Sequence, residues 1–310
     1  MTGENIMNIN RRKFMLTASV GASAVIGGKA IASESKGIDL RSALGVLVDA
    51  TYCIGCRKCE MGCNEANKLT DLARTAFEDK SVFKEHRRPI NTAYTVVNAI
   101  PNPKNESNPI YIKVQCMHCD HPACVSACIV GALQKTKEGP VTYDAWKCIG
   151  CRYCMVACPF QVPTYEYSNA FTPQVRKCTF CFDRITTENK KPGCVENCPN
   201  EALTFGKRSD LIALAHEKIQ AQPDRYHNHV YGEHEIGGTS WLYLAGIDFN
   251  LTELPALNNE PIPKTTESIQ HGIFKSFVPP LALYGLLGLV MYSQRRNKNE
   301  HDATNDGESK

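Results

Sequence analysis

The chain has 310 residues, 43% hydrophobic and 22% charged, the composition and length of a globular protein with one large or two ordinary domains. Its formal net charge is +3, and no long basic run makes an electrostatic case for nucleic-acid binding. Cysteine is the outlier, with 16 residues, an even count that in an exported chain would ordinarily suggest disulfides.

The amino terminus carries Arg11-Arg12, then Lys13, Phe14, Met15 and Leu16, then an apolar run rich in Ala, Gly and Ser. Ala30 and Ala32 supply the small residues of a cleavage site. Residues 1–32 resemble a signal of the twin-arginine export pathway, with Asn10 and Leu16 departing from its commonest residues. That pathway moves proteins already folded around their cofactors. The alternative is a basic cytosolic tail beside an unrelated apolar run. Residues 33–43 read as a polar linker.

Leu44 to Asp49 reads as a short strand leading into the first cysteines. Strand-like runs follow at Tyr94 to Val97 and Tyr111 to Val114, separated by the turn-forming Pro101-Asn102-Pro103-Lys104-Asn105. Ser209 to Gln222 has helical spacing, with Leu211, Leu214, Ala215 and Ile219 on one face and Asp210 near the start.

All 16 cysteines fall into four groups. Cys53, Cys56, Cys59 and Cys63 repeat at Cys148, Cys151, Cys154 and Cys158, both as C-x2-C-x2-C-x3-C, and Ile, Gly and Arg recur between them. Cys116, Cys119, Cys124 and Cys128, and Cys178, Cys181, Cys194 and Cys198, keep the first and last spacings with a longer middle. The short form is the spacing of bacterial two-cluster ferredoxins, in which three close thiolates hold one cubane and the fourth cysteine ligates the other. Gly55 and Gly150 let the backbone approach inorganic sulfur. Pro159 and Pro199 follow two of the fourth cysteines, whereas Asn64 and Ile129 stand there in the other groups. Thiolates also suit zinc, but zinc ribbons need only pairs of C-x2-C. Disulfides need distant partners facing each other, and tight triplets leave odd thiols.

Residues 273–293 are apolar except for Lys275, Ser276 and Ser293. A helix needs about 20 such residues to span a bilayer, a length reached if Lys275 snorkels. Pro279 and Pro280 lie where a first turn tolerates proline. Arg295, Arg296 and Lys298 follow, which by the positive-inside rule keeps the carboxyl end in the cytoplasm. The expectation is one transmembrane helix over 273–293, a cytoplasmic tail over 294–310, disordered from His301, and a body on the periplasmic side of the inner membrane. A buried core helix is the alternative.

The four groups, their order and the enlarged gap in the fourth resemble the iron–sulfur subunits of bacterial respiratory oxidoreductases over residues 44–245. The resemblance implies an α+β fold of two ferredoxin-like modules binding four [4Fe–4S] clusters. It implies one cluster on Cys53, Cys56, Cys59 and Cys198, and a second on Cys178, Cys181, Cys194 and Cys63. A third would take Cys116, Cys119, Cys124 and Cys158, and a fourth Cys148, Cys151, Cys154 and Cys128. Residues 246–272 are then a second linker. The double arginine, the single carboxyl-terminal anchor and residues 230–239 are most similar to the hydrogenase-2 type. The implied role is relay without turnover, between a periplasmic nickel–iron hydrogenase and an integral membrane, quinone-reactive partner. The same relay beside a molybdenum enzyme, such as formate dehydrogenase or a sulfur-compound reductase, is the alternative. A structural zinc protein is the alternative of another class.

Other residues keep two readings. His118 and His121, inside the second group, are expected to be loop or supporting residues rather than ligands. Trp241 and Tyr243 read as a half-buried strand or a partner contact. Arg57, Arg152, Arg176 and Lys177 either offset cluster charge or are solvated. No nucleotide loop, nucleophile elbow or catalytic carboxylate pair is present.

Overall fold

A computed structural model describes residues 43–105, 107–264 and 278–305. The signal and most of the first linker expected over residues 1–43 therefore lie outside the described residues. The described residues fall into two units, a larger one over 43–264 and a smaller one over 278–305.

In the larger unit β1 (Leu44–Asp49) is the middle strand of a three-stranded sheet. It runs antiparallel to β8 (Leu203–Lys207) and parallel to β9 (Trp241–Leu244). Its apolar residues are buried on both faces, as a middle strand requires. Val46 and Val48 enter the main core, while Leu47 packs beneath a helix. That helix, Arg208–Ala221, presents Leu211, Ala215 and Ile219 at four-residue steps to Leu47, Leu242 and Leu244. The two strand-like runs become β2 (Thr95–Ile100) and β3 (Ile110–Gln115), an antiparallel hairpin in which Thr95 faces Gln115 and Ile100 faces Ile110. Two smaller hairpins pair β4 (Leu133–Lys135) with β5 (Val141–Tyr143), and β6 (Thr164–Tyr165) with β7 (Val175–Arg176).

The cysteines ride on short helices between these strands: α1 (Lys58–Asn67), α2 (Ala123–Ser126), α3 (Tyr153–Ala157), α4 (Phe182–Thr186) and α5 (Gly193–Glu196). The Arg208–Ala221 helix is α6. Helix α1 packs on α5, and α2 on α3. The first and fourth cysteine groups are thereby brought together, as are the second and third.

Two expectations change here. Trp241 and Tyr243 are 1% and 0% exposed, so they are core residues and not a partner contact. Tyr243 Oη donates to the Lys113 carbonyl at 2.8 Å and accepts from Gln115 Nε2 at 2.6 Å. Residues 246–264, read as the start of a linker, belong to the compact unit: Ile247, Phe249 and Leu254 are buried in the main core. Their irregular spacing gives no periodicity to read.

The smaller unit contains α7 (Val278–Asn305). No glycine or proline interrupts 289–305, and the helix runs through 301–305, which had been expected to be disordered. Among the described residues no helix is long and apolar enough to cross a membrane. Residues 273–277 of the expected span lie outside the described residues.

Candidate metal centres

Each group opens with a turn. The residue two places after its first cysteine has a left-handed φ: 64° at Gly55, 48° at His118, 71° at Gly150 and 59° at Phe180. The turn aims a backbone amide at sulfur; Gly150 and Phe180 donate to Sγ of Cys148 and Cys178 at 3.5 and 3.4 Å. Such bonds tune cluster potentials. A Cβ on Gly55 would stand 2.3 Å from the Tyr111 ring, and one on Gly150 would stand 2.6 Å from the Tyr165 hydroxyl. A tyrosine thus closes over each glycine. His118 and Phe180 adopt the same turn at a cost of about 1–3 kcal/mol each. Their rings are buried and meet edge to face at 5.0 Å.

The cysteines gather in quartets that cross between groups. Burial pushes the Cys63 thiol well up, and the charges of Cys178, Cys194 and Cys181 add to this. Burial does the same at Cys119, with Cys116, Cys124 and Cys158 adding. Cys154 is pushed up to about 11 by burial and then by Cys148, Cys128 and Cys151. Cys53 is also raised to about 11, by burial first, with Cys198 and Cys56 contributing; Cys53 in turn acts on Cys59. Two of these quartets surround cavities. One cavity is lined by Cys53, Cys56, Cys59 and Cys198, the other by Cys63, Cys178, Cys181 and Cys194.

The crossing depends on two glycines. Gly62 and Gly193 each precede a cysteine, and a Cβ on either would stand 2.4 Å from the other's carbonyl oxygen. Their bare backbones let α1 touch α5, which carries Cys63 to the fourth group's loop. The quartets also follow one another. Cys194 acts on Cys59, Cys116 on Cys178 and Cys154 on Cys124, so each quartet has a cysteine close to one of the next.

This donor set fits iron–sulfur clusters. All 16 cysteines are free thiols. Soft sulfur ligands line apolar pockets, with backbone amides pointing at sulfur. Burial disfavours the bare thiolates, so metal charge is needed to hold them ionised, and loading releases protons. Among the described residues no three His, Cys, Asp or Glu side chains converge tightly enough to hold a single metal ion.

The charged residues near the quartets sort differently from the expectation. Arg57 is buried against Glu60 at 2.9 Å, with Arg87 at 2.6 Å on the same carboxylate. Arg57 is therefore part of an ion triad and not a solvated residue. Arg152 is exposed and lies over the rings of Tyr165 and Tyr167, and Arg176 pairs with Glu166. Lys177 is buried and donates to the carbonyls of Val141 and Cys178 at 2.5 and 3.1 Å. His118 Nδ1 accepts from the Val141 amide at 2.9 Å, and His121 is exposed. The sequence reading missed Lys113, which is buried and lines both cavities. Its place in an alternating strand beside Tyr111 and Gln115 was the available signal.

Residues 107–208 match the family described as a 4Fe-4S dicluster domain. The chain is similar to a protein of Nitratidesulfovibrio vulgaris, with 43% identity over 97% of this chain and 81% of that one. It is 35% identical to the hydrogenase-2 operon protein HybA of Escherichia coli O157:H7, over 97% of this chain and 100% of that protein. The iron–sulfur subunit of the nitrate-inducible formate dehydrogenase of Escherichia coli K12 is 29% identical over 82% of this chain and 85% of its own length.

Proposed function

Because the chain belongs to the iron–sulfur electron-transfer subunits of respiratory oxidoreductases, we propose that it relays electrons along four [4Fe–4S] clusters between a catalytic subunit and a membrane, quinone-reactive subunit. It is an electron-transfer subunit and not a catalytic one. The clusters are held by Cys53, Cys56, Cys59 and Cys198; by Cys63, Cys178, Cys181 and Cys194; by Cys116, Cys119, Cys124 and Cys158; and by Cys128, Cys148, Cys151 and Cys154. The observation that carries this reading is a pair of neighbouring cavities, each lined by four cysteines drawn from the first and fourth groups and both lined by Lys113. Each cluster supplies a one-electron site, and the chain's own residues set spacing, burial and field.

The catalytic partner in this reading is a nickel–iron hydrogenase, supported by the full-length similarity to HybA. The similarity to a formate dehydrogenase subunit supports the second reading, a molybdenum enzyme. Trp146, two residues before Cys148, and Val156, two residues after Cys154, are 94% and 86% exposed. Large apolar side chains left in water beside a cluster site favour a docking face for a partner. Export rests on Arg11-Arg12 and the apolar run behind it. Anchoring rests on residues 273–293, whose later part starts α7, with Arg295, Arg296 and Lys298 keeping the tail 294–310 cytoplasmic.

The test is anaerobic purification of the native complex from membranes in mild detergent, captured through this chain. Nickel in a co-purifying subunit is expected. Molybdenum or tungsten would move the relay to the second reading. Recovery of the cluster-loaded chain alone from the soluble fraction would overturn both the partners and the anchor.

A further inference from the structure

Lys113, on β3, is 2% exposed. Its Nζ donates to Thr95 Oγ1 and Gln115 Oε1, both at 2.8 Å, and lies 4.3 Å from the centre of the Trp241 ring. These partners are neutral, so they orient the ammonium without cancelling its charge. Among the described residues no carboxylate pairs with it. The buried Lys135, by contrast, sits 3.2 Å from Asp120. A buried ammonium costs several kcal/mol unless negative charge lies close by. What Lys113 faces is sulfur on two sides. It lines the cavity of Cys53, Cys56, Cys59 and Cys198, and also the cavity of Cys63, Cys178, Cys181 and Cys194.

We propose that Lys113 is a shared fixed counter-charge that raises the reduction potentials of the first two centres together. The inference rests on the ligand assignment above. A four-thiolate cluster is anionic, and accepting one electron adds one negative charge with no bond made or broken. A cation fixed beside it in a poorly screened interior stabilises the reduced state more than the oxidised one. Placed between two centres, the same charge lifts both and keeps their potentials close, which eases the hop from one to the other. Lys113 is a positioning residue in this sense: it acts on the clusters through its field.

The test uses the full cluster-loaded chain under anaerobic conditions, with paramagnetic resonance followed through a redox titration. The wild-type chain comes first, with Cys198→Ser and Cys194→Ser assigning the signals of the two centres. If the wild-type chain yields no centres assignable to those cysteines, the ligand reading itself fails, and the proposal with it. Given those centres, Lys113→Met and Lys113→Gln are expected to lower both assigned potentials. The shift should be at least a tenfold change in each reduction equilibrium, about 59 mV for one electron. The other two potentials should stay in place, and Lys113→Arg should keep all of them. Unchanged potentials in fully loaded variants would overturn the proposal, as would an equal shift of every centre. Loss of the first two clusters in both variants would make the lysine structural and overturn it as well.

Discussion

Combining Cys63→Ser with Cys194→Ser will remove one cluster, whereas combining Cys63→Ser with Cys198→Ser will remove two. Cys63 lies four residues beyond Cys59 in the sequence, yet it is buried against Cys178, Cys194 and Cys181. Cys198 makes the reverse crossing to the cavity of Cys53, Cys56 and Cys59. Substitutions in one quartet strike the same centre and do not add; substitutions in different quartets do. Iron should fall by about 4 atoms in the first double variant and about 8 in the second. If ligation instead followed sequence neighbours, Cys63→Ser with Cys59→Ser would be the pair that costs a single cluster. That result would reject the crossing.

Truncating Glu60 will be the most damaging substitution outside the cysteines. Its carboxylate accepts from Arg57 Nε and Nη2 at 3.1 and 2.9 Å, from Arg87 Nη1 and Nη2 at 3.1 and 2.6 Å, and from the Val97 amide at 2.7 Å. The side chain is 5% exposed and that of Arg57 is 7% exposed. Glu60→Ala leaves a guanidinium and an amide buried without their acceptor, a loss of about 3–5 kcal/mol. Arg87, at 22% side-chain exposure, recovers part of its hydration. Denaturant unfolding of the loaded chain measures this, and Glu60→Gln, which keeps an acceptor for Val97, should lose less. A change below about 1 kcal/mol, the size of a surface pair, would show that the triad is solvated after all.

Much of the framework was legible because it is written in local spacing. The strand at Leu44–Asp49 and the helix face of Leu211, Ala215 and Ile219 follow from period alone. The cysteine groups follow from ligand chemistry. What crosses the chain was not legible in this way. Nothing in C-x2-C-x2-C-x3-C says which distant loop receives Cys63; that came from family resemblance, and its structural cause is the contact between Gly62 and Gly193. A glycine before a cysteine carries no such message until the helices are placed. Lys113 looked like the polar side of an ordinary strand, and only the two cavities beside it give it meaning. His118 and Phe180 take a turn that glycine takes in the other two groups, so composition hid the common geometry. Ile247, Phe249 and Leu254 are buried without any period, which made a packed segment read as a linker.

Four [4Fe–4S] clusters on 16 cysteines are what the proposed function requires of this chain. Iron and acid-labile sulfide should be measured on the anaerobically purified chain, together with a spin count of its fully reduced state. About 16 iron and about 16 sulfide per chain, with four interacting one-electron centres, is the predicted result. About 8 iron, or zinc in place of iron, would contradict it.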